Sequence, residues 1–222
     1  MSSSYLHILD HVHECCVKSR RDPTQVKVIA VSKKRTPEQM MKIYQEGCRS
    51  FGENRLEEVL EKSPKMPQDI EWHMIGTLQT KKVNKTIGRF TLIHSVDHPQ
   101  LAKKISDSSL RHGVKTCILL QSNTSGEKSK QGLTPQEWKA CFEDVLELEG
   151  IEVKGFMTMA PLTEDTSVIR NTFVGLRELK CSLEREIGRS FPHLSMGMSH
   201  DYPIAIEEGA TLVRIGTAIF ES

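Results

Sequence analysis

The chain has 222 residues, 37% hydrophobic, 27% charged and only 5% aromatic, proportions that suit one globular domain with a full core. Thirty basic residues stand against twenty-nine acidic ones, and no basic stripe is interleaved with aromatics, which argues against a nucleic-acid partner. No run approaches the ~18 apolar residues of a membrane span, and the first residues lead into His7, Asp10 and His11 rather than a secretory core; a cytoplasmic monomer with no membrane partner is expected.

Six cysteines without a Cys-x-x-Cys pair fit reduced thiols better than a disulfide framework. In chain order, residues 5–19 read as a helix. On it His11 and Cys15 share a face while His13 points away, so no metal site is expected. Residues 26–32 form the first candidate strand, and 50–52, 71–75, 91–96, 114–122, 151–157, 194–198 and 211–215 follow as seven more. Between them lie helix starts at Thr36-Pro37-Glu38-Gln39, Asp97-His98-Pro99-Gln100 and Thr134-Pro135-Gln136-Glu137, each offering a cap residue and a third-position Glu or Gln. Gly47, Gly88, Gly113, Gly150, Gly188 and Gly209 stand where helices should end.

Eight strand–helix units in 222 residues predict an α/β chain folded as one (β/α)8 TIM barrel over residues 26–220, preceded by a helix and lead-in over 1–25. The extra helix is expected to cover the barrel where a final helix would pack. An open doubly wound sheet is the alternative, but the first βα turn, Val31-Ser32-Lys33-Lys34-Arg35, has no glycine fingerprint.

Ligand groups of a barrel gather at the carboxyl ends of its strands. Lys33 ends the first strand, where partial withdrawal from water would favour its free amine, as an imine-forming (Schiff-base) lysine requires. Glu53 and Asn54 end the second strand, His73 lies on the third, Asp97 and Asn123 follow the fourth and fifth, and Met157 closes the sixth. Asp97 and Asn123 read more simply as caps. At the far end, Ser199, Gly216 and Thr217 offer hydroxyls and bare amides for an anion. Alternation turns Arg214 into the barrel mouth beside them. An amine opposite an anion cradle, with a guanidinium between, suits a phosphorylated aldehyde.

Six motifs occur in order: Ile29-Ala30-Val31-Ser32-Lys33, Phe51-Gly52-Glu53-Asn54, Glu71-Trp72-His73-Met74-Ile75-Gly76 with Leu78-Gln79, Ser129-Lys130-Gln131-Gly132, Ser195-Met196-Gly197-Met198-Ser199 with Asp201, and Val213-Arg214-Ile215-Gly216-Thr217. Together they closely resemble the pyridoxal phosphate homeostasis protein family. The chain departs from that family at Lys81, at Gly126 and Lys128, and in its short tail.

The resemblance implies a fold-type III barrel, like the N-terminal domain of alanine racemase, that binds pyridoxal 5'-phosphate (PLP) as a Schiff base with Lys33. It further implies that Ser199, Gly216 and Thr217 hold the phosphate, that Arg214 faces the pyridine nitrogen, and that Asn54, His73 and Met157 line the ring. The expected role is vitamin B6 homeostasis, holding PLP or supplying it to PLP-dependent apo-enzymes, without turnover.

The alternative is an amino-acid racemase, and a Schiff-base aldolase is a more distant one. Two-base racemisation in the similar enzymes uses a lysine and a tyrosine. Of Tyr5, Tyr44 and Tyr202, only Tyr202 falls near the phosphate end, and nothing in its surroundings marks it as a base.

Overall fold

The computed structural model describes residues 4–127 and 130–220. Among them, eight parallel strands pair in sequence order and close into a barrel. They are β1 (Lys27–Val31), β2 (Ser50–Glu53), β3 (Glu71–Met74), β4 (Leu92–Val96), β5 (Thr116–Gln121), β6 (Ile151–Met157), β7 (His193–Ser195) and β8 (Leu212–Ile215). Closure is made by β8 against β1, with Ile29 opposite Arg214 and Ala30 opposite Ile215. The (β/α)8 expectation therefore holds over the open sheet. The seventh strand is shorter than expected, because the chain turns at Gly197, whose φ is +95°, instead of continuing to Met198.

Helix α1 (Ser4–Lys18) precedes the barrel, and α2 (Pro37–Gln45), α3 (Leu56–Lys62), α4 (Val83–Thr86), α5 (Pro99–Arg111), α6 (Pro135–Leu146), α7 (Thr166–Ile187), α8 (Tyr202–Glu207) and α9 (Thr217–Phe220) each follow one strand. The four-residue α9 is too short to cover its side of the barrel, and α1 packs on α8 and α9 there. Thr36 with Gln39 and Thr134 with Glu137 close full capping boxes, so those helices begin where a side chain can satisfy the free amides. Asp97 does not cap: the N-cap of α5 is His98, without a side-chain bond, and Asp97 accepts from His98 Nδ1 at 2.6 Å instead. Asn123 serves the loop after β5, donating to the Glu127 carbonyl. Gly150 also differs from the other helix-end glycines. Its φ is not positive, and a Cβ there would lie 2.2 Å from the Ser106 carbonyl oxygen.

Two layers of apolar packing result. Alternate residues of each strand point outward to meet the helices, burying Phe51, Trp138, Phe142, Phe156 and Phe191. The others point inward, where Ile29, Leu92, Leu119, Met157 and Leu212 plug the barrel, as expected of a filled (β/α)8 interior. All six cysteines are free. No helix among the described residues is long and apolar enough to cross a membrane.

Candidate functional site at the barrel mouth

The carboxyl ends of the strands surround a cavity of about 850 Å3, with Lys33, Asn54, Ser199, Arg214, Gly216 and Thr217 on its wall. Residues distant in sequence meet here because parallel strands deliver all their carboxyl ends to one face. Lys33 lies in the turn just after β1 and is exposed. Withdrawal from water, expected from the apolar strand before it, is thus not how the fold presents this amine. Asn54 leaves β2 beside Gly76, where a Cβ would come within 2.3 Å of the Asn54 carbonyl oxygen. Only glycine permits that approach, which brings the β2 and β3 ends together at the mouth.

Arg214 on β8 points inward and is only 5% exposed. Its Nη1 donates to Ser195 Oγ at 2.6 Å and its Nη2 to the Thr158 carbonyl at 3.0 Å. Burial lowers its pKa to about 10, with the Asp201 carboxylate acting in the opposite direction. No carboxylate among the described residues lies within ion-pair distance of it, so a buried cation faces the cavity with neutral partners behind it. Asp201 itself accepts from the Met198 amide, fixing the loop that carries Ser199.

The remaining charge at the mouth has one dominant sign. Among the described residues, Lys33, Lys34, Arg35, Arg55 and Arg214 line the cavity against a single carboxylate, Glu58, a local excess that favours an anion although the chain as a whole is nearly neutral. Ser199 and Thr217 add hydroxyls on the same wall. Gly216 adds close approach, since a Cβ there would lie 3.2 Å from Val31 Cβ. A phosphorylated, aldehyde-bearing ring matches this donor set: cationic and hydroxyl groups for the phosphate, a buried donor for a ring nitrogen, and a primary amine for the carbonyl carbon.

His73 and Met157 are not part of this wall. Both point inward, but one layer too deep: Met157 belongs to the apolar plug, and Ile75 and Met159, just past the ends of β3 and β6, take the mouth-lining positions. His73 Nδ1 pairs with His94 Nε2 at 3.0 Å, and the residue borders a separate cavity of about 490 Å3 at the amino ends of the strands, with Lys27, Glu71 and His193. Burial lowers the pKa of His73, with Glu71 opposing, and that of His94 well below the ordinary value.

Beside the mouth lies an ionic cluster that local patterning did not reveal. Lys62 on α3 bonds to Glu53 at 2.7 Å and to Glu58 at 2.9 Å, and both Lys62 and Glu53 are buried. Burial pushes the Glu53 carboxyl up to about 7 even though Lys62 and Ser32 act to lower it. The expected tyrosine candidates point elsewhere: Tyr44 donates to Asp69, Tyr202 meets His11 of α1, and Tyr5 is buried beside Cys48. None of the three lines the mouth. No cluster of three metal-ligating side chains occurs among the described residues. In the departing loop, Lys130 lies 3.9 Å from Glu127, whereas Lys128 and Ser129 fall outside the described residues.

Residues 15–222 match the family described as alanine racemase, N-terminal domain. The chain is 41% identical to the pyridoxal phosphate homeostasis protein of Aquifex aeolicus over 96% of its length and 94% of the relative's. The structure of PipY from Synechococcus elongatus with PLP bound superposes with a TM-score of 0.83 at 32% identity, covering 94% of this chain and 99% of that one. Alanine racemase of Clostridium difficile, at 16% identity and a TM-score of 0.77, shares the barrel over 95% of this chain and 58% of its own. With identity and coverage of that extent, the chain belongs to the pyridoxal phosphate homeostasis protein family.

Proposed function

We propose that the protein binds PLP at the barrel mouth, tethered through Lys33, and serves intracellular PLP homeostasis by holding and supplying the cofactor. The observation that carries this reading is the assembly of an exposed amine, a buried guanidinium with no carboxylate partner among the described residues, and two hydroxyls around one cavity. PLP supplies an aldehyde that condenses reversibly with a primary amine, releasing water.

Each side chain then has a task. Ser199, Thr217 and the Gly216 backbone would hold the phosphate, Asn54 would border the ring, and Arg214 would face the pyridine nitrogen as a permanent donor that discourages its protonation. His73 and Met157 support the site from below. The tether needs only Lys33, and the cavity stays open to solvent and to a recipient.

The racemase alternative requires a second acid or base across the ring from the lysine. Tyr44 and Tyr202 are each engaged with another side chain, and Tyr5 is buried away from the mouth, which favours a carrier over an enzyme. In this reading the protein acts as a cytoplasmic monomer that passes PLP to PLP-dependent apo-enzymes, with neither nucleic acid nor membrane as partner.

The experiment is reduction of PLP-loaded protein with borohydride followed by peptide mapping. The pyridoxyl group is expected on Lys33, and Lys33→Ala is expected to lose the near-visible absorbance of the loaded protein. Label on Lys34 or Lys130 alone would refute the assignment. Lysine-dependent conversion of one amino-acid enantiomer at about 1 per second or faster would restore the racemase.

A further inference from the structure

The turn that bears Lys33 is held by its backbone from both sides. The Ser32 carbonyl, in the peptide entering Lys33, accepts from Lys62 Nζ at 2.9 Å. The Lys34 amide, in the peptide leaving Lys33, donates to Glu58 Oε2 at 2.8 Å. Lys62 and Glu58 are one helical turn apart on α3 and are themselves paired at 2.9 Å, the favourable order for such a pair. A single ion pair thus fixes both peptide planes that flank the reactive residue.

The rest of the cluster stiffens this arrangement. Lys62 has three N–H donors and three acceptors: the Ser32 carbonyl, Glu53 Oε1 and Glu58 Oε2. Glu53 Oε1 also accepts from Ser32 Oγ at 2.7 Å, locking the residue before Lys33 by its side chain as well. Lys34 adopts a φ of +61°, a left-handed conformation that a lysine takes only where its surroundings impose it. Lys33 itself is exposed, and a long, exposed side chain is aimed chiefly by where its backbone is held.

We infer that the Lys62–Glu58 pair, anchored by Glu53, is a positioning clamp that aims the Lys33 amine into the mouth and so governs covalent capture of the ligand's aldehyde. This inference rests on the PLP reading above. The clamp acts through Lys33, so it should affect covalent capture and leave non-covalent recognition of the phosphate and ring to Ser199, Arg214, Gly216 and Thr217.

The experiment compares PLP with pyridoxine 5'-phosphate, which has an alcohol in place of the aldehyde and cannot be captured by an amine. Affinities for both are measured in the full-length protein, in Lys62→Met, in Glu58→Ala and in Glu58→Gln, with folding checked by thermal denaturation. The ratio of the two affinities is the readout, since a loss of overall structure lowers both. The ratio is expected to fall by about tenfold or more in Lys62→Met and Glu58→Ala, because misplacement of a reacting group is costly. Glu58→Gln, which retains an acceptor for the Lys34 amide, is expected to stay near wild type. Lys62→Met leaves Glu53 buried without its cation; if that variant does not fold, the partly exposed Glu58→Ala decides the question. A wild-type preference for PLP that survives the substitutions overturns the clamp alone. Wild-type protein that holds PLP no better than pyridoxine 5'-phosphate overturns the ligand reading and the clamp together.

Discussion

Arg214 donates from Nη1 to Ser195 Oγ over 2.6 Å inside the barrel, and this bond sets the proton order of the residues below it. An arginine has no acceptor, so Ser195 must accept from it, and the serine hydroxyl proton is free for His94 Nδ1, 2.8 Å away. His94 then carries its own proton on Nε2 and donates it to His73 Nδ1 at 3.0 Å. His73 is left with Nε2–H, which has no hydrogen-bond partner and lies 4.0 Å from the nearest Glu71 oxygen.

This order is visible by nitrogen NMR. His94 is expected as the neutral Nε2–H tautomer at neutral pH, because burial foremost, with His73, Arg214 and His193 acting in the same direction, holds its pKa well below the ordinary value. An Nδ1–H form would break the derivation. Ser195→Ala removes an acceptor from Arg214 and a donor from His94 at once, and should cost about 1–3 kcal/mol in denaturant unfolding.

The phosphate wall is tested by the double substitution Ser199→Ala with Thr217→Val. PLP should bind at least about tenfold more weakly, each charge-assisted bond contributing roughly 1.5–3 kcal/mol. Pyridoxal, which lacks the phosphate, should be little affected. Equal weakening of both ligands would remove these hydroxyls from the phosphate role.

Glu53 imposes a pH dependence on stability. Burial raises its pKa from 4.5 to about 7 against the pull of Lys62 and Ser32, with Glu58 adding to the rise. Between those values the folded chain keeps a proton that the unfolded chain has lost, so the stability Glu53 contributes falls as pH rises through the window. Glu53→Gln should therefore compare better with wild type at about pH 8 than at about pH 5 in urea midpoints. A difference independent of pH would contradict the raised value.

Met157 is only 1% exposed within the apolar plug. Met157→Ala should destabilise the fold by about 2–5 kcal/mol, as loss of a large core side chain does, with little change in PLP affinity. A loss of affinity without a loss of stability would move Met157 back to the ring.

The fold was legible because each strand–helix unit carried its own punctuation, as at Thr36, Thr134 and Gly188. Lys33, Arg214 and Gly216 were legible for a related reason: strand ends converge in a barrel, so position along the strand implies place at the mouth. Depth was less accessible. Alternation along β3 and β6 tells which face a residue takes, but His73 and Ile75 share a face, and only the tilt and stagger of the closed barrel decide which of them reaches the cavity. The partners of Glu53 were also hidden, since a buried carboxylate nine residues before a buried lysine matches no helical or strand period. The exposure of Lys33 follows from the same cluster, which holds the turn from behind and leaves the side chain in solvent.

A turn held by its main chain has a consequence for substitution. Nothing in the clamp touches the Lys33 side chain: the bonds go to the Ser32 carbonyl, the Ser32 hydroxyl and the Lys34 amide. Position 33 is therefore a socket whose chemistry is separable from its architecture. Lys33→Cys or Lys33→Ala should melt close to wild type, and a thiol placed there would present a different nucleophile to the same wall of arginine and hydroxyls.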